Sequence, residues 1–144
     1  MTINPQQTIF YSIDHAIKEY RKFAQKNISQ VVKDVTLDQM LVLTILDTEP
    51  EISQKSIAKI LFKDYASITR IVELLVKKEY LQRNIHEEDR RKFHLSITKN
   101  GQSTIKKLRP IILQNRSDAL NGVTDEQIDF LNTILNNIIN NCSN

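Results

Sequence analysis

At 144 residues, 40% hydrophobic and 26% charged, the chain is long enough for one domain with a real core and too short for two ordinary ones. No apolar run approaches the roughly 18 residues of a membrane span, and the single cysteine, Cys142, excludes an internal disulfide. The formal charge of +3 is unevenly spread: residues 54–107 hold 13 Lys/Arg against 6 Asp/Glu, a local +7, and the two flanks together carry −4. A basic middle between mildly acidic ends fits a polyanion-binding module carried on an assembly scaffold, although charge alone fits a solvated surface equally well.

The opening "MTINPQQTIFYSIDH" has neither the basic start nor the apolar stretch of a secretory signal. With one unpaired cysteine, a cytoplasmic protein is expected. Ile9, Phe10, Ile13, Ala16, Ile17, Tyr20, Phe23 and Ala24 recur at helical spacing and predict a long amphipathic helix over about 6–28. "TLDQ" at 36–39 has the form of a capping box, in which Thr36 caps and Gln39 reaches back to the Thr36 backbone. The helix it opens runs through Met40, Leu43 and Leu46 and should stop before Pro50.

Two helices in close order come next. Ser53 can cap "QKSIAKILF", and after a break near Phe62–Lys63, Asp64 can cap "YASITRIVELLVKKEY". Ile68, Ile71, Val72 and Leu75 of the second form one apolar stripe, with Ala66, Thr69, Arg70, Glu73 and Lys77 opposite. A short helix, a tight turn and a longer helix with a polar outer face is the helix-turn-helix pattern. "YLQRNIH" and "KFHLSIT" then alternate, with Leu81, Arg83 and Ile85 matching Phe93, Leu95 and Ile97. "EEDRR" between them holds no apolar residue and must be exposed, so the pair reads as a charged hairpin beside the helix-turn-helix: a wing.

Thr98 is placed to cap a long helix through Ile105, Leu108, Ile111 and Ile112, bent at Pro110. "TDEQ" at 124–127 is a second capping box, opening a helix whose Ile128, Leu131, Ile134, Leu135 and Ile138 approach a coiled-coil seam. The tail "NNIINNCSN" is expected to fray. The end helices carry more apolar surface than a winged helix can cover, which predicts an obligate dimer built by both ends of the chain. The expected fold is mostly α with a small β-hairpin wing, a winged helix-turn-helix with flanking dimerisation helices. It reads as one domain over 1–144, with about 30–100 binding and about 1–29 and 101–144 dimerising.

These pieces, in this order, resemble the MarR family of winged-helix transcriptional regulators. The likeness rests on "LDQMLVLTIL", "SQKSIAKIL", "ASITRIVELLVKKEYLQR" and "DRRKFHLSITKNG", covers about residues 30–101 and extends more loosely to both ends. Two positions depart from the family pattern. Glu79 stands where glycine usually follows the two lysines, so the recognition helix is expected to end one residue later, and Tyr65 stands where proline is common.

The resemblance implies a homodimer on pseudo-palindromic double-stranded DNA, most simply a repressor. The rival reading is a winged-helix protein–protein adaptor that never touches DNA. The N-terminal half of a recognition helix reaches base edges in the major groove, which makes Tyr65, Ala66, Ser67, Thr69 and Arg70 the readout candidates, with Lys63 before them meeting phosphate. A hairpin tip can deliver arginine to a narrow minor groove. By resemblance Arg91 is the inserted residue, Asp89 orients the tip through Arg91 or Arg83, and Arg90 and Lys92 lie near the flanking phosphates.

The family also implies a small, often aromatic or anionic effector between dimer helices and winged helix, lined here by Tyr11, His15, Tyr20 and Met40. The alternative reading is that these four residues simply pack in the dimer interface. No cofactor is expected. His15, His86 and His94 are scattered without metal-ligand spacing, and only two glycines occur, so neither a metal site nor a phosphate-cradling glycine loop is expected. No nucleophile–base pair or carboxylate dyad suggests an enzyme.

Overall fold

A computed structural model describes residues 3–85, 88 and 93–143 of the chain. Helix α1 is Ile9–Val31, three residues later at each end than the apolar periodicity predicts. The reason lies in the caps. Asn4 and Pro5 start a separate 3-10 turn over Pro5–Gln7, and Thr8 then takes an extended conformation so that its hydroxyl accepts from the Tyr11 N–H at 3.3 Å. Helix α2, Leu37–Thr48, opens on the expected capping box: both the Gln39 N–H to Thr36 Oγ1 and the Thr36 N–H to Gln39 Oε1 bonds are 3.1 Å.

Helices α3 (Gln54–Ile60) and α4 (Tyr65–Lys77) form the helix-turn-helix, each capped as the sequence predicts, by Ser53 and Asp64. Strands β1 (Leu81–Ile85) and β2 (Phe93–Ile97) pair antiparallel with Leu81 opposite Ile97, Arg83 opposite Leu95 and Ile85 opposite Phe93, the predicted register. The core gathers Leu43 and Leu46 of α2, Ile57 of α3, Ile68, Val72 and Leu75 of α4, the hairpin base at Leu81 and Leu95, and Ile105 and Leu108 of α5 (Lys99–Ala119). Ile85 breaks the alternation: it is 70% exposed because the hairpin projects past the core before its end.

Glu79 does not lengthen α4. The helix ends at Lys77, and Glu79 takes the left-handed conformation (φ 64°) that a glycine would supply. The Tyr80 N–H reaches the Leu75 carbonyl at 2.9 Å and the Glu79 N–H reaches the Val76 carbonyl at 3.0 Å, a complete Schellman closure. Thr98 locks this end to α5: its hydroxyl donates to the Glu79 carbonyl at 2.6 Å while accepting from the Gly101 N–H at 3.0 Å. Gly101 allows the approach, since a Cβ there would lie 2.3 Å from the Tyr80 carbonyl oxygen.

α5 continues through Pro110, and α1 lies along it, joined by a 2.7 Å bond from Asn27 to Asn115. α6 runs from Asp125 to Cys142, so the asparagine-rich tail expected to fray is helical almost to its end. Among the described residues no helix is long and apolar enough to cross a membrane.

Candidate nucleic-acid interface

α4 has two faces of opposite character. Ile68, Val72 and Leu75 are fully buried, whereas Tyr65, Ala66 and Arg70 are exposed and Ser67 and Thr69 are half-buried. The five expected readout residues therefore share the N-terminal half and the outer side of one helix. They are not equally free. The Ser67 N–H donates to Asp64 Oδ1 at 2.7 Å, the cap that holds the helix start, and this bond holds the Asp64 carboxyl below its ordinary value. The Thr69 hydroxyl lies 3.3 Å from Gln54 Oε1 of α3 and 3.0 Å from the Tyr65 carbonyl, so it belongs to the seam between the two helices. Arg70 makes no ion pair among the described residues.

Lys63, expected to meet phosphate, is half-buried and already paired, its Nζ 3.1 Å from Asp38 Oδ2. The other oxygen of that carboxylate is 2.5 Å from Arg21 of α1. Partial burial is the largest influence on Asp38 and pushes its carboxyl upward, but the bonds and charges of Arg21 and Lys63 together outweigh it and hold the group below its ordinary value. One carboxylate at the start of α2 thus ties an end helix to the turn before α4. Sequence spacing gave no sign of this, because its members lie 17 and 25 positions from Asp38.

Asp89, Arg90, Arg91 and Lys92 lie outside the described residues, as does His86. Arg83 stands on β1, exposed and opposite Leu95, on the strand that leads to the tip. The hairpin base is held by a 2.8 Å bond from Asn84 to Ser96.

The four residues expected to line an effector site separate into two pairs. Tyr20 and Met40 border a cavity of about 210 Å³ between α1, α2 and α5. Tyr11 and His15 instead meet each other on the exposed start of α1, ring centres 5.8 Å apart. Sequence reasoning missed Arg21, Thr44, Asn115 and Arg116, which also line the cavity. Asn115 is buried, and its Nδ2 has no hydrogen-bond partner among the described residues. A signal was present: Ile105, Leu108, Ile112 and Asn115 form one stripe, and a lone amide on an apolar stripe needs an explanation. Among the described residues no group of His, Cys, Asp or Glu could hold a metal ion.

Residues 35–93 match the model of the MarR family. The regulator SarZ of Staphylococcus haemolyticus (strain JCSC1435) is 26% identical over 133 residues, which is 92% of this chain and 86% of SarZ. A MarR/EmrR family transcriptional regulator from Acinetobacter sp. ADP1 has the same fold, with a TM-score of 0.85 and 20% identity, covering 98% of this chain and 99% of that one. S. aureus MepR, solved as a DNA complex, superposes with a TM-score of 0.83 and 18% identity, covering 93% of this chain and 98% of that one. The capped helix pair, the hairpin in its predicted register and these likenesses agree on a winged-helix fold whose residues 35–93 match the MarR family.

Proposed function

We propose that the protein is a homodimeric, sequence-specific repressor of transcription in the cytoplasm, whose grip on duplex DNA a small molecule tunes. The observation that carries the DNA reading is α4: a helix anchored by three fully buried residues presents Tyr65, Ala66 and Arg70 outward at its N-terminal end, inside the basic third of the chain. The likeness to MepR, solved on DNA, supports the same docking. In this reading about 30–100 bind and the ends dimerise. Exposed Ile9, Phe10 and Ile17 of α1 and Phe130, Leu131 and Ile134 of α6 supply an apolar surface for a second copy. Two α4 helices related by a twofold axis would read half-sites roughly 34 Å apart.

Titration of a fragment carrying the protein's own promoter region, across a salt series, tests the reading. Specific binding that falls steeply with salt is expected, because neutralised phosphates release counterions. A protein that ignores DNA at low salt would instead be the protein–protein adaptor.

The ligand half rests on the cavity between α1, α2 and α5. Arg116 at its rim and the Asn115 amide inside it suit a small molecule with an apolar body and an acceptor such as a carboxylate. Such a ligand acts only by preferring one separation of the two recognition helices. A thermal-shift screen of small aromatic acids, repeated with promoter DNA, should find a compound that stabilises the free protein and also releases the DNA. The coupling is reciprocal, so a compound with one effect and not the other would count against it.

A further inference from the structure

Among the described residues three positions that follow helices take a left-handed conformation, and they differ in which residue fills them. Gly122 serves between α5 and α6 (φ 83°) and Glu79 after α4; after α3 the residue is Phe62, at φ 56°. The geometry around Phe62 is a full Schellman closure, with the Lys63 N–H on the Ala58 carbonyl at 2.9 Å and the Phe62 N–H on the Lys59 carbonyl at 3.3 Å. The backbone there is what a glycine adopts without strain and what a bulky side chain resists. The ring gains nothing from the rest of the fold, being 97% exposed. A single exposed apolar residue needs no explanation; one that is also held in a disfavoured conformation, with no packing in return, does.

Its position names the partner. Phe62 sits in the turn three residues before Tyr65, the first of α4, at the end of that helix which carries Tyr65 and Ala66, and it lies near the exposed Lys59 in the basic stretch of the chain. A polyanion suits these charges, and an aromatic ring at the mouth of the major groove has one apolar target there, the C5-methyl of thymine. We propose that Phe62 is a specificity-determining residue that packs against a thymine methyl beside the bases read by α4. The proposal rests on the DNA-binding reading and adds a contact from the turn.

The test compares the wild type, Phe62→Ala, Phe62→Gly and Arg70→Ala on the same promoter fragment made with thymine or with uracil, which pairs identically and lacks only the methyl. Wild type should bind the uracil fragment roughly fourfold more weakly for each methyl that Phe62 covers, the factor for one buried methyl-sized group. Phe62→Ala should bind the thymine fragment at least fourfold more weakly and discriminate less between the two fragments. Phe62→Gly should melt about 3 °C higher, since the strain is relieved, and still bind more weakly. A gain in stability joined to a loss of binding is what a purely structural role cannot produce.

If Phe62→Ala binds the thymine fragment as wild type does while Arg70→Ala binds it poorly, the proposal falls and the DNA reading stands. Equal weakening on both fragments also overturns it, because the ring would then touch the sugar–phosphate backbone. A change of sedimentation in Phe62→Ala, with DNA affinity intact, would mark a contact between copies instead and overturn it equally. If the wild type binds neither fragment at low salt, the DNA reading itself has failed.

Discussion

At the scale of single residues, Arg70 and Arg91, the two arginines proposed to meet DNA, carry the sharpest expectations. Arg70 is exposed on the outer face of α4, and Arg70→Ala should weaken operator binding by about 1–3 kcal/mol and relax base preference, measured by anisotropy against a set of single-base operator variants. Arg91→Ala should cost a similar amount with dimer and fold intact. Unchanged affinity in both variants would mean that another surface meets DNA. Glu79 offers a contrasting case, since it performs a glycine's task with a side chain attached. Glu79→Gly should raise stability by about 1 kcal/mol, read as a shifted denaturation midpoint, because the left-handed strain disappears while the Glu79 carbonyl still accepts from Thr98.

At the scale of elements, what matters is how α4 is aimed. Its C-terminus, the start of β1 and the start of α5 meet where Gly101 lets two backbones touch. Gly101→Ala would set a Cβ 2.3 Å from the Tyr80 carbonyl oxygen and 2.6 Å from Ile97 Cγ2. Overpacking of this kind costs about 1–3 kcal/mol, more than the gain in helix propensity of up to about 1 kcal/mol, so a net loss of stability in chemical denaturation is expected.

The other end of α4 is aimed through Asp38, which holds Arg21 and Lys63 at once. Its carboxyl sits below the ordinary value in the folded protein, so folding favours the charged form. The stability it supplies is present above the ordinary carboxylate range and is lost as the pH falls through and below it. Asp38→Asn should therefore cost roughly 1 kcal/mol near neutral pH, a modest figure because the pairs are partly solvated. The difference in melting temperature from wild type should shrink as the pH is lowered toward about 3. The same variant frees Lys63 for phosphate, so its non-specific DNA affinity at low salt should rise rather than fall.

At the scale of the whole molecule, the apolar surface left outside the core decides the assembly. α1, α5 and α6 border an apolar groove of about 490 Å³, with Ile13, Ile17, Leu120, Leu131 and Leu135 among its walls. Leaving such a surface in water is unfavourable at about 25 cal/mol per Å², which is why a second copy is the expected cover. Truncation before Thr124 removes the wall that α6 supplies and should leave a chain that no longer sediments as a stable dimer. A clean dimer of the truncated chain would move the interface elsewhere.

Much of this organisation is local, and local signals stand in the sequence. Thr36, Ser53, Asp64, Thr98 and Thr124 each cap a helix where their spacing to the next donor predicts, and the hairpin register follows from an alternation that a one-residue slip would turn inside out. The outward set of α4 was legible for the same reason: a helical period fixes which side chains share a face.

The tertiary structure decided what depends on pieces far apart in the chain. It separated Tyr11 and His15 from Tyr20 and Met40, because α1 is long enough for its start to lie beyond the cavity that its middle borders. It gave Lys63 a carboxylate partner from another helix. It set the end of α4 at Lys77, where hydrogen bonds from Glu79 and Tyr80 outweigh the steric preference of a glutamate. It brought Asn115 of α5 against Asn27 of α1, 88 positions apart. Periodicity and capping follow from a few neighbouring residues and can be read along the chain; a salt bridge, a cavity wall or a strained turn exists only once packing has chosen which distant groups must meet.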